Sequence, residues 1–95
     1  MIFPDTITRY ARTGQNARGD AILAAAQPLQ VRWEDVQRLV KNQRGEEVMS
    51  QARVFAKSEI RVGDEVVREG IRYQVLSGGR IQSPFGATSH WEIYV

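Results

Sequence analysis

The chain has no cysteine and one histidine, His90, which excludes a disulfide framework, thiolate chemistry, Cys/His zinc sites and any metal site that needs two histidines. Long apolar runs are also missing. The longest, Ala21 to Ala26, falls far short of the about 20 residues that cross a bilayer. Met1 is not followed by a charged and then apolar leader. These absences predict a soluble chain made in a cytoplasm, with no membrane partner. Charge of one sign is scarce as well, since 13 basic residues face 11 acidic ones for a net +2. A dedicated DNA reader carries a dense basic face, so sequence-specific recognition is not expected.

What is present is the composition of one soluble domain spanning residues 1–95, with 42% hydrophobic and 25% charged residues. A chain of 10.8 kDa hides roughly 65% of its unfolded surface, which allows a core of modest stability and leaves room for a partner or an oligomer to add to it. The basic residues are eleven arginines and two lysines, planar forks suited to carboxylates or phosphates more than hydrated point charges. Arg9, Arg12, Arg18 and Arg32 face only Asp5 and Asp20 in residues 1–33, so the positive excess sits in the first third.

After Pro4, residues Thr6 to Arg12 alternate β-branched or aromatic with polar side chains and read as a first strand. Thr13 to Asp20 has two glycines and no large apolar residue, the chemistry of an exposed mobile loop that we extend over 13–27. Ala21 to Ala26 fits a short helix capped by Asp20 and ended by Pro28, or equally a strand entering a bend. Val31 to Lys41 matches both helical spacing and a bent strand, and local pattern does not choose between them. Asn42 to Gly45 is a hairpin turn, and Glu47 to Phe55 alternates as a strand. Glu65 to Arg68 and Ile71 to Leu76 are two strands joined by Glu69-Gly70. Ser77-Gly78-Gly79 breaks the chain, Arg80 to Ser83 is an edge strand, Pro84-Phe85-Gly86 turns, and Thr88 to Val95 closes with Trp91, Ile93 and Val95 on one face. The sum is a mainly β fold, a small barrel or rolled antiparallel sheet of about six strands with a long flexible N-terminal loop.

Sites of chemistry are few. His90 has only Ser89 beside it, the wrong geometry for a nucleophile relay, and reads as a surface or strand-paired imidazole. Glu46, Glu47, Asp64, Glu65 and Glu69 fall in or beside turns, where solvated charge is normal, rather than as a converging pair. Arg44-Gly45 and Gly78-Gly79-Arg80 lack phosphate-loop spacing. We therefore expect no catalytic residue, no metal site and no cofactor. The aromatic residues read as core more than as a platform for stacked bases. Phe85, at a turn tip that cannot easily reach its own core, and Arg44 are candidate subunit or partner contacts. Arg12, Gly14, Arg18 and Gly19 form a candidate contact with a polyanion.

Several stretches together carry a resemblance. Phe3-Pro4-Asp5-Thr6-Ile7-Thr8-Arg9-Tyr10, Arg32-Trp33-Glu34-Asp35, Gly45-Glu46-Glu47-Val48, Ser50-Gln51-Ala52-Arg53-Val54-Phe55, Val62-Gly63-Asp64, and Gly70 with Tyr73-Gln74-Val75 look like phage minor capsid proteins. In particular they resemble the head-closure, or stopper, proteins of long-tailed bacteriophages and prophages. The likeness spans nearly the whole chain, least over 13–27. It implies a homo-oligomeric ring under the portal or its adaptor, monomeric when isolated, that retains packaged double-stranded DNA and presents a docking surface to tail proteins. It also implies a small β-barrel, which decides Val31 to Lys41 in favour of strand. By the same likeness Arg12, Gly14, Arg18 and Gly19 belong to a channel-facing loop, and the protein belongs in the virion, assembled in the host cytoplasm. An adaptor or tail-completion role in the same connector, or a small-barrel nucleic-acid module, are the alternatives.

Overall fold

The computed structural model describes residues 2–82 and 89–95, and among these every regular element is a strand. They are β1 (Asp5–Tyr10), β2 (Arg12–Gln15), β3 (Ala21–Leu23), β4 (Gln27–Glu34), β5 (Arg38–Lys41), β6 (Glu47–Ser50), β7 (Arg53–Ala56), β8 (Glu65–Arg68), β9 (Ile71–Gln74), β10 (Ser77–Gln82) and β11 (Ser89–Tyr94). Seven make one antiparallel sheet in the order β10-β11-β7-β4-β1-β8-β9, curled into a half-barrel. The pairs β2–β3 and β5–β6 are hairpins outside that sheet. The mainly β reading holds, with more and shorter strands than the expected six or so.

Alternation places the core. In β4, Leu29, Val31 and Trp33 are buried while Gln30 and Arg32 between them are exposed, the period of two that a half-buried strand imposes. Antiparallel register aligns these residues with their neighbours: Ile7 faces Leu29, Val31 faces Ala56, and Trp33, Val54 and Ile93 form one row across β4, β7 and β11. Ile60, Val66, Val75 and Val95 complete the cluster. The segment 31–41, open between helix and strand by pattern, is strand on either side of a break at residues 35–37.

The two edge strands of the curled sheet are drawn together at one end. Its two edges, β9 and β10, are joined by Val75 and Leu76 alone, which keeps Gln74 and Ser77 within about 11 Å. Val75 bonds through its N–H to the Asp64 carbonyl and accepts from Gly63 N–H, while Leu76 N–H reaches the Tyr94 carbonyl. The half-barrel is therefore stitched along this seam from both sides.

Three local readings are corrected. The segment 13–27, expected as a loop, doubles back as β2–β3, and β4 begins at Gln27. The reason lies in Asn16, whose Oδ1 accepts from the N–H groups of Arg18 and Asp20 at 2.9 and 3.0 Å, folding the polar stretch into a tight turn. Its outcome is also strand rather than helix for Ala21–Leu23. The alternating run 47–55 is not one strand: Gln51 and Ala52 N–H groups both turn to the Val95 carbonyl, so β6 pairs with β5 and β7 joins the main sheet. Finally, Ser77-Gly78-Gly79 is part of edge strand β10 rather than a break. The Pro84-Phe85-Gly86 turn lies outside the described residues.

Gly78 explains that last point. At φ 119° its missing side chain faces β11, and a Cβ there would sit 2.2 Å from the Glu92 carbonyl oxygen. Gly79 has open space. Gly78→Ala is expected to lower unfolding stability by about 2–4 kcal/mol in urea titration, and Gly79→Ala by no more than about 0.5 kcal/mol; equal effects would contradict this packing.

Candidate functional site

The two hairpins outside the sheet end in the same five-residue turn. Asn16-Ala17-Arg18-Gly19-Asp20 joins β2 to β3, and Asn42-Gln43-Arg44-Gly45-Glu46 joins β5 to β6. Asn42 Oδ1 accepts from the N–H groups of Arg44 and Glu46 at 2.9 and 3.0 Å, repeating the Asn16 pattern. In each turn the glycine N–H returns to the asparagine carbonyl at 3.0 Å. The pattern Asn-x-Arg-Gly-Asp/Glu was present in the sequence as a short repeat and is what sets each arginine at a hairpin tip.

Arg18 and Gly19, expected in a mobile loop, are exposed at the tip of the first hairpin. Gly14 lies in a bulge of β2, where register slips between Arg12 and Gly14 and the Thr13 hydroxyl donates to the Ile22 carbonyl. Arg12 is elsewhere, at the base of this hairpin. There it joins Arg44, from the second tip, in a cleft of about 310 Å³ that Gln43, Gly63 and Gln74 also line. The sequence reading gave Arg12 and Arg44 separate roles; the fold brings them together. Phe85 lies outside the described residues.

Next to Gly63 of this cleft is Asp64, read from sequence as a solvated turn carboxylate and found 1% exposed. That expectation is corrected. Asp64 Oδ2 takes Arg9 Nε at 2.7 Å and Arg61 N–H at 2.9 Å, and Oδ1 takes Arg12 N–H at 2.9 Å. Three donors offset the cost of burying the charge. The visible signal was Gly63-Asp64 itself, a short acceptor in a turn able to fold back on the N–H three residues earlier.

A second charged group lies across β4, β7 and β11. Glu34 and Arg53 are cross-strand partners, and Glu34 Oε1 accepts from Arg53 Nη2 at 2.6 Å and Nε at 3.0 Å. Arg38 Nη1 donates to the Tyr94 hydroxyl, which donates in turn to Glu92, so the base of the β5–β6 hairpin is tied to the sheet. The Arg53 hydrogen bond holds the Glu34 carboxyl below its ordinary value of 4.5, partial burial opposes this, and the charges of Arg53 and Arg32 add to it.

Several aromatic side chains lie under the chain's own cations. Arg68 lies over Trp33 at 4.9 Å, Arg72 over Tyr10 at 4.9 Å and Arg38 over Tyr94 at 5.5 Å. His90 is opposite Ile81 in the β10–β11 ladder, its ring 5.8 Å from Phe55. Among the described residues no group of three His, Asp or Glu side chains is placed to hold a metal ion, and no helix is long and apolar enough to cross a membrane. Compared with known proteins, the chain matches no family model and no curated protein sequence.

Two outcomes follow from these charges. Asp64→Asn is expected to lower unfolding stability by about 3 kcal/mol in denaturant titration, against no more than about 1 kcal/mol for Glu65→Gln beside it; equal losses would remove Asp64 from its structural role. Glu34 has a folded-state pKa below its unfolded one, so its contribution is complete above pH 4.5 and is lost as pH falls through the lowered value. Melting temperatures recorded between pH 6 and pH 2.5 should fall less steeply for Glu34→Gln than for the parent chain.

Proposed function

We propose that this chain is a structural subunit of the head–tail connector of a long-tailed bacteriophage or prophage, of the head-closure type. Copies form a ring beneath the portal or its adaptor, retain the packaged double-stranded DNA and give tail proteins their docking surface. The observation that carries the reading is the sequence resemblance, spread over nearly the whole chain from Phe3 to Val75. The work is geometric, with no catalytic residue and no cofactor, and the protein resides in the virion after assembly in the host cytoplasm.

The physical character of the hairpins supports this. A ring subunit needs two different complementary patches, one toward each neighbour. Leu39 and Met49, cross-strand partners on the β5–β6 hairpin, are 55% and 52% exposed, and Ile22 on the β2–β3 hairpin is 47% exposed. Apolar side chains on arms outside a small half-barrel suit contacts completed by another copy. The rival reading, a monomeric module that stacks single-stranded nucleic acid, needs open aromatic faces. Covering arginines on Trp33, Tyr10 and Tyr94 disfavour it.

The test is made on capsids assembled without this protein. They are expected to package DNA, leak it and lack tails, with both defects repaired by adding the purified chain. DNA that stays inside while only tail joining fails would replace head closure with a tail-side completion role. Replacing residues 14–21 by a two-residue turn is expected to cause leakage with rings still formed; full DNA retention in that variant would overturn a channel role for Gly14, Arg18 and Gly19.

A further inference from the structure

The cleft where the half-barrel closes has a composition that neither the fold nor the connector role requires. Its walls come from four separate segments: Arg12 at the start of β2, Gln43 and Arg44 in the β5–β6 turn, Val62 and Gly63 before β8, and Gln74 at the end of β9. Two arginines and the amide-bearing Gln43 and Gln74 therefore line one space of about 310 Å³. Among the described residues no carboxylate lies within ion-pair distance of either Arg12 or Arg44, although six other arginines have such a partner.

The buried carboxylate nearby is already engaged. Asp64, next to Gly63 in the chain, spends its oxygens on Arg9, Arg61 and the Arg12 backbone. Glu46 receives the Asn42 side-chain amide. The Arg12 side chain lies across Gly63, close enough that a Cβ there would be 3.3 Å from its Cδ and 3.5 Å from Nη1, with Gln43 Nε2 at 4.0 Å. At φ 95° Gly63 has the backbone geometry that L side chains rarely adopt, so this open floor belongs to glycine. Its consequence is a guanidinium seated over the floor beside an amide donor, with less freedom to lose on binding than a solvated arginine.

We propose that the Arg12–Arg44 cleft is a binding site for a phosphate-class oxyanion. Two positive forks match the one to two negative charges of a phosphate group near neutral pH, and each offers paired N–H donors. A tetrahedral anion presents oxygens in several directions and can accept from both arginines and from the amides of Gln43 and Gln74 together. A carboxylate has two oxygens in one plane and leaves part of this donor set unused. The inference stands on the geometry of the cleft and does not depend on the connector reading. The phosphate can be a free ion or a phosphodiester of nucleic acid, and the experiment separates these.

The test is an amide- and arginine-detected NMR titration of the full chain with inorganic phosphate at low ionic strength, with chloride as the matched control. Saturable shifts at Arg12, Arg44, Gly63 and Gln74, absent with chloride, are the expected result. Arg12→Gln and Arg44→Gln should each weaken phosphate binding by about tenfold, with melting temperature little changed, because the Arg12 bond to Asp64 comes from the backbone. Shifts equal to those with chloride, shifts that persist in the double variant, or a cleft that responds to acetate and not to phosphate would each overturn the proposal. A short duplex DNA forms the second arm. Shifts at the same residues that phosphate competes away identify a phosphodiester as the source, and a silent duplex with saturable phosphate identifies the free ion. Because phosphate alone decides the site, its failure leaves the capsid experiment untouched, and the converse also holds.

Discussion

The buried carboxylate of Asp64 is the contact on which the rest of the architecture depends. A charge 1% exposed is tolerable only where donors surround it, and the donors here come from three places in the chain: Arg9 on β1, the backbone where β2 begins, and Arg61 before β8. Satisfying one side chain therefore fixes the exit of β1, the root of the first hairpin and the approach to β8. The Asp64 carbonyl extends this order by accepting from Val75, in the two-residue link between the edge strands. At that end one aspartate ties together β1, the root of β2, the approach to β8 and the link between the edge strands.

From this seam the molecule divides into a rigid part and two arms. Rows such as Trp33, Val54 and Ile93 run unbroken across the central strands, and close packing of that kind gives little under load. The arms hold their shape by other means, an asparagine side chain closing each turn and, for β5–β6, the Arg38–Tyr94–Glu92 chain of hydrogen bonds at its base. A scaffold of this form suits a protein whose task is to present surfaces in fixed positions, which is what the connector reading asks of it. The charged cleft lies where arms and scaffold meet, so an anion bound there would join segments far apart in the sequence.

Much of this was legible before any coordinates. Alternation in 6–12 and 88–95 and glycine-bearing turns at 42–45 and 69–70 together specify a mainly β domain, because a two-residue period survives in any strand with one buried face. The misread places share a cause. Residues 13–27 looked like a loop because their order comes from asparagine-to-backbone bonds that leave no hydrophobic period. The run 47–55 looked continuous because its break is made by Val95, nearly half the chain away.

The site divides along the same line. Residue type and local spacing determined by themselves that Arg44 would stand in a hairpin turn, that cysteine and paired-histidine chemistry is excluded, and that the first third carries the positive excess. Only tertiary structure decided that Arg12 and Arg44 share a cleft, that Asp64 is buried, and that aromatic faces lie under arginines. The physical reason is range. Turn chemistry and strand alternation act over a few residues, whereas burial of a charge and convergence of donors depend on segments that meet only when the sheet curls and closes.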